Sequence, residues 1–314
     1  MTNKIAFVFP GQGSQSVGML QALADEYSVV KDTFAEASDA VKSDLWRLVS
    51  KGPKELLDRT ENTQPAMLAA GVAVWRVWND CGGPQPARMA GHSLGELTAL
   101  VCAGSLGYAD AARVVAVRGS LMQEAVPEGS GAMAAILGLT DDQVRELCVD
   151  SAEGQVLEAV NFNAPGQVVI AGDAQAVTRA IQASKAAGAK RALPLPVSVP
   201  SHCALMRPAA DRFRSELETL EVAEPAIPVL HNVSVEEAPD PSQIRSLLVK
   251  QLYSPVRWVE TVRRLADEGV ATVVEAGPGK VLAGLVRRID KQMEALTVFD
   301  PAGLAKALEV TGDA

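Results

Sequence analysis

The stretch MAGHSLGELTAL, residues 89–100, decides the fold. Read with its upstream neighbours, ARMAGHS (87–93) is a buried strand, and a helical pattern starts at once over 94–104. Between them stands Gly91-His92-Ser93-Leu94-Gly95, a G-x-S-x-G elbow that holds a serine hydroxyl at a tight, strained turn. The flanking glycines let neighbouring backbone approach where a Cβ would clash. The helix that opens there points its unpaired N–H groups and positive dipole end at the reacting centre. Ser93 is therefore a candidate nucleophile; the plainer alternative is a serine that only caps a helix.

Working outward, KIAFVFP (4–10), IPVLHNVS (227–234) and TVVEAGPG (272–279) also read as strands. Helical patterns cover 17–27, 30–42, 65–79, 108–125, 204–220, 242–253 and 256–268. Strands alternating with helices predict an α/β fold with a mostly parallel sheet covered on both faces. The middle differs: strand 131–139, helix 141–151, strands 156–162 and 167–172, helix 174–187 and strand 190–197 give the ferredoxin-like order β-α-β-β-α-β. We expect residues 130–197 to form a small inserted subdomain, and 1–129 with 198–314 a discontinuous larger one.

Composition narrows the function. With 314 residues, 48% of them hydrophobic, the chain can bury a large core. A net charge of −9 without a basic block argues against nucleic acid and against an anionic membrane surface. The first apolar run stops at Pro10, too short for a signal-peptide core, and no apolar run approaches a membrane span. The scattered cysteines 81, 102, 148 and 203 fit a reduced, cytoplasmic setting. Three histidines without H-x-x-x-H spacing speak against a metal site.

A serine nucleophile needs a base. His92 adjoins the serine but points elsewhere at so sharp a turn, and His231 sits inside a predicted strand as a packed residue. His202, in the loop VPSHCALM, is favoured. Its own orienting partner stays open: one of many aspartates, or a carbonyl left free where helix 242–253 stops before Pro255, such as that of Gln251. FPGQGSQSVG (9–18) nearly matches G-x-G-x-x-G, but Ser16 replaces the third glycine and Pro10 ends the strand early, so nicotinamide binding is disfavoured. Its backbone N–H groups are better read as half of an oxyanion hole, completed by that of Leu94. In helix 108–125, Arg118 falls at the centre of the apolar stripe Ala111, Val114, Val115, Leu121, Met122, Ala125. A buried guanidinium needs an anion: a structural acid, or the free carboxylate of an acyl substrate.

FVFPGQGSQ, TQPAMLAAGVAVW, GHSLGE, AVRGSLMQEA, NFNAPGQVVIAG, LPVSVPSHCALM, QLYSPVRW and EAGPGKVL stand in the order and spacing of the malonyl-CoA:acyl carrier protein transacylases, which the chain resembles to about residue 290. The resemblance implies an α/β-hydrolase-like core with a ferredoxin-like insertion. It implies Ser93 as the acylated nucleophile, His202 as base, and Gln251 orienting His202 through its carbonyl. Gln12 and Leu94 would supply the oxyanion N–H groups and Arg118 would hold the malonyl carboxylate. His92, Gln64, Asn161 and Asn163 would line the pocket. Malonyl-CoA and a phosphopantetheinylated acyl carrier protein are the implied partners, with no cofactor and with the chain a monomer. Carrier proteins of this kind are acidic, so Lys190-Arg191 and Arg287-Arg288 are candidate contacts, scattered surface charge being the alternative. The rivals are a serine esterase or thioesterase, a non-catalytic scaffold that binds carrier protein, and the transacylase subunit of a malonate decarboxylase.

Overall fold

In the computed structural model, residues 4–197 and 199–312 are described. They contain strands β1 (Lys4–Phe9), β2 (Arg88–Gly91), β3 (Gly131–Leu137), β4 (Leu157–Ala164), β5 (Gln167–Asp173), β6 (Arg191–Pro194), β7 (Val229–Leu230), β8 (Val270–Ala276) and β9 (Glu294–Val298). Two sheets result.

The larger sheet has the order β7-β2-β1-β8-β9, and every neighbouring pair is parallel. Its strands are apolar on both faces because both are covered by helices. Along β1, Phe7 and Phe9 enter one core cluster while Ala6 and Val8 enter the other. Phe7 meets Trp75 and Trp78 of the helix Thr60–Asp80 edge-on, at 5.2 and 5.0 Å between ring centroids. The carboxyl ends of β1, β2 and β7 lie side by side, the edge at which open parallel sheets hold their ligands.

The smaller sheet runs β4-β5-β3-β6, antiparallel throughout. Its faces alternate as a half-covered sheet should. Ala134, Ile136, Val168 and Ile170 pack under the helices Asp141–Ala152 and Ala174–Ser184; Met133, Ala135, Val169 and Ala171 face the other way with Cys203. Thr140 and Gln143 close a reciprocal capping box at the first of these helices, worth about 1 kcal/mol. Val256 ties the sheets together, donating to Val160 O at 2.8 Å and accepting from Phe162 N at 3.0 Å.

Several expected boundaries move. The strand foreseen at 227–234 is only Val229–Leu230, because the chain turns at His231, whose carbonyl accepts from Val235 N at 2.9 Å. The strand foreseen at 190–197 is Arg191–Pro194; Pro194 and Pro196 remove the donors that would extend it. The first helix starts at Gln21 rather than 17, since Gly18 and Leu20 take positive φ of 88° and 59°. The helix foreseen at 65–79 starts at Thr60 and contains Pro65. Helices Leu45–Lys51, Lys54–Leu57, Val281–Ile289 and Pro301–Gly312, and the edge strand β9, had no counterpart in the sequence reading. Among the described residues, no helix is long and apolar enough to cross a membrane.

Candidate active site

Ser93 stands at φ 53°, ψ −111°, between β2 and the helix Leu94–Cys102. Such backbone costs about 1–3 kcal/mol and persists only where the surroundings impose it. Here they do. A Cβ on Gly91 would fall 1.9 Å from Gly95 C, and one on Gly95 would fall 2.0 Å from Phe9 O, so both glycines are sterically required. Asn232, just past β7, accepts from Ser93 N at 2.7 Å and donates Nδ2 to Gly91 O at 2.6 Å. Gln251 Nε2 donates to Ser93 O at 3.0 Å.

The loop after β1 presses on this turn. A Cβ on Gly11 would lie 2.5 Å from His92 O, so only glycine lets Gln12 settle beside the elbow. Gln12 and Leu94 line the same cavity as Ser93. Leu94 N–H is the first of its helix and has no acceptor within it.

His202 comes from the loop between the small sheet and the helix Arg207–Glu218, also at positive φ, 68°. Its Nε2 lies 2.8 Å from Ser93 Oγ and its Nδ1 lies 2.7 Å from Gln251 O. A carbonyl can only accept, so Nδ1 carries the proton and Nε2 offers its lone pair to the serine hydroxyl. Burial, reinforced by the nearby Arg118 charge, pushes the imidazole down to about 3, so it rests neutral. The orienting partner is thus the backbone carbonyl, at the last turn of the helix Pro241–Gln251.

Arg118 is 1% exposed on the helix Tyr108–Glu124. That helix crosses Thr60–Asp80 closely at Gly119, where a Cβ would meet Thr60 O and Glu61 Cα at 2.7 Å. The crossing brings Arg118 Nη1 to Gln64 Oε1 at 2.8 Å; Nη2 donates to Gln251 Oε1, also at 2.8 Å. Both acceptors are neutral amides, and Nε has no hydrogen-bond partner among the described residues. Desolvation lowers the guanidinium to about 10, with the charge of Glu96 pulling the other way. The cation therefore stays charged, and among the described residues no carboxylate is in direct contact with it.

Gln12, Gln64, His92, Ser93, Leu94, Arg118, Asn161, Asn163 and His202 all line one cavity of about 170 Å³. Drug-sized ligands need about 300 Å³ or more, so this space suits a short acyl group. His92 Nε2 lies 2.8 Å from Asn163 Oδ1, and its ring sits 5.6 Å from that of Trp258. Burial lowers the His92 imidazole, opposed by the Asn163 contact. Met122, Met133, Val169, Leu195, Val197 and Val199 close the apolar side.

Two supporting residues, Glu96 and Asn232, escaped the sequence reading. Glu96, 0% exposed, accepts from His231 Nδ1 at 2.7 Å, Asn232 N at 2.9 Å and Gln251 Nε2 at 2.8 Å. His231 is packed as foreseen, but beyond the strand and against an acid. Glu96 carried a usable signal: an acid inside the apolar helix LGELTALVC is as conspicuous as Arg118 in its stripe. Asn232 carried none.

Comparison with known proteins bears on the whole chain. The acyl transferase domain family matches residues 6–306. The malonyl CoA-acyl carrier protein transacylase of Salmonella typhimurium is 58% identical, over 97% of this chain and 99% of its own. That of Bacillus subtilis is 42% identical, over 98% and 97%. Among solved structures, an acyl carrier protein S-malonyltransferase from Vibrio cholerae is similar at TM-score 0.95, with 57% identity over 96% of this chain and 99% of that one. A malonyl-transacylase solved with its type II PKS acyl-carrier protein is similar at TM-score 0.97, with 56% identity over 98% and 99%. The chain belongs to the acyl transferase family, among its malonyl CoA-acyl carrier protein transacylases.

Proposed function

We propose that this chain transfers malonyl from CoA to the phosphopantetheine thiol of an acyl carrier protein, for fatty acid synthesis, through a malonyl ester on Ser93. The observation that carries this is a neutral histidine on the serine hydroxyl with an unneutralised arginine in the same small cavity. His202 Nε2 takes the Ser93 proton as Oγ attacks the thioester carbon. The oxyanion is held by the N–H groups of Gln12 and Leu94, each such donor contributing about 3–4 kcal/mol at the transition state. The carbon–sulfur bond breaks and CoA leaves as its thiol, protonated by His202. The carrier's thiol then attacks the ester with the same base assisting, and Ser93 regains its hydroxyl; the cycle is ping-pong. Arg118 takes the distal carboxylate, exchanging an amide acceptor for an anion. His92, Asn161, Asn163 and Gln64 line the acyl pocket, and Gln251 holds the His202 tautomer.

An acidic carrier needs a basic landing site. Arg191 pairs with Leu137, and Leu137 pairs with Gln167, whose side chain accepts from Arg288. Arg191 and Arg288 thus stand at one end of the small sheet, next to the β4–β5 hairpin that carries Asn163. On this reading residues 130–197 roof the catalytic unit formed by 1–129 and 198–314, and a monomer suffices, since one chain supplies every group. Unpaired Cys81, Cys102, Cys148 and Cys203 support a cytoplasmic setting.

Intact mass after mixing with malonyl-CoA tests the proposal. Native protein should gain one malonyl group and Ser93→Ala none; no adduct on native protein would refute it. Delivery to acyl carrier protein, rather than to water or to the carrier of a malonate decarboxylase, separates the rivals.

A further inference from the structure

Arg118 presents a physical problem. A buried guanidinium must be kept charged, yet a direct carboxylate partner would occupy the positions a substrate anion needs. We propose that Glu96 is a positioning residue for acyl selection: an acid one side chain removed from Arg118, which anchors the Gln251 amide and keeps the cation open to a substrate carboxylate.

The geometry follows from donor and acceptor chemistry. An ionised carboxylate only accepts. Glu96 Oε2 at 2.8 Å and Ser93 O at 3.0 Å both accept, so Gln251 presents Nε2 to the pair. Gln251 Oε1 is then turned to Arg118 Nη2 at 2.8 Å. The row Glu96–Gln251–Arg118 therefore has one polarity, with the acceptor oxygens of Glu96 and Ser93 on one side of the amide and the donor-only guanidinium on the other. The same Gln251 gives its main-chain carbonyl to His202, so one residue serves both the base and the acyl clamp. His231 Nδ1 donates to the other carboxylate oxygen, Oε1, and Asn232 N shares Oε2 with Gln251. A neutral amide on Nη2 yields to an incoming carboxylate at little cost, whereas an acid there would not. The charge of Glu96 also opposes the loss of the guanidinium proton.

This inference rests on the assignment of Arg118 to the malonyl carboxylate, and the experiment separates the two. Glu96→Gln keeps size and can still accept, but removes the charge and puts a donor NH2 where only an acceptor stood. Native protein and variant are compared in kcat and KM with malonyl-CoA and acetyl-CoA, and in the rate at which a fluorophosphonate labels Ser93. For the variant we expect labelling within about threefold of native, a KM for malonyl-CoA raised about tenfold, and a malonyl-to-acetyl kcat/KM ratio lowered about tenfold. A merely structural role would lower labelling and both substrates together. An unchanged ratio overturns the inference. If native protein itself shows no malonyl preference, the Arg118 assignment fails, and the role of Glu96 with it. Should Glu96→Gln not fold, Glu96→Asp keeps the charge at shorter reach. It should retain the native ratio, and a ratio as low as that of Arg118→Ala would overturn the inference.

Discussion

Ser93, Gln12 and Asn232 reach the site from the ends of β2, β1 and β7, whereas Met133, Val169 and Leu195 reach it from the small antiparallel sheet. The first set is held by backbone. Positive φ at Ser93, three glycines with no room for a Cβ and two bonds from Asn232 leave its atoms little freedom. The second set stands on a regular hydrogen-bonded ladder, without positive φ or close-packed glycines at those three positions, and meets the site through side chains on the sheet face turned away from its own helices. A parallel sheet ends in a row of tight turns that can store strain and aim N–H groups. An antiparallel sheet offers a smooth face of alternate side chains, which sets volume. On this view the floor carries the chemistry, and the roof the fit.

Perturbing each side tests that division. The largest effect is expected from His202→Ala: loss of the base should slow acylation by malonyl-CoA on the order of 10⁴-fold, read by stopped-flow or quenched mass. Thermal stability should not collapse with it. Arg118→Ala comes next. It should reduce kcat/KM for malonyl-CoA about a hundredfold and leave neutral short-chain esters nearly untouched. Equal loss on both substrates would place Arg118 in the structural frame instead.

A third test uses pH. His202 is neutral in the folded chain down to about 3, while an unfolded imidazole takes its proton near 6.5. Fluorophosphonate labelling should therefore persist as pH falls below the ordinary imidazole range. The sign for stability is opposite: between 6.5 and 3 the unfolded chain binds the extra proton, so this site destabilises the fold as pH falls. His202→Gln should flatten that part of the melting-temperature profile. The smallest effect belongs to the roof. Met133→Ala should leave malonyl transfer within about threefold and raise acceptance of alkyl-substituted malonyl thioesters about tenfold. If instead it abolishes malonyl transfer, the roof takes part in the chemistry and the contrast fails.

The elbow was legible because its demands are local. A strained turn needs glycine on both sides within five residues, and a strand and a helix must flank it. Arg118 was legible because a charge in an apolar stripe has to be explained. The ferredoxin-like insertion was legible from its alternating strands, and the sheet order β4-β5-β3-β6 is the one that motif implies. The chain beyond residue 280 was not: Val281–Ile289, Glu294–Val298 and Pro301–Gly312 carry short patterns that only packing against β8 and the larger core resolves.

By itself, then, the sequence determined a serine at a strand-to-helix elbow, an arginine inside an apolar helix stripe, and the class of both sheets. Each is a matter of neighbours within one or two turns of chain. Only the tertiary structure decided that the histidine is backed by a carbonyl, and that Arg118 meets two amides instead of an acid. It alone showed that Glu96, His231 and Asn232 stand behind Ser93. These contacts join residues from 49 to 158 positions apart. Hydrogen-bond polarity across such distances is written in no local pattern; it exists only once the helix and strand ends converge.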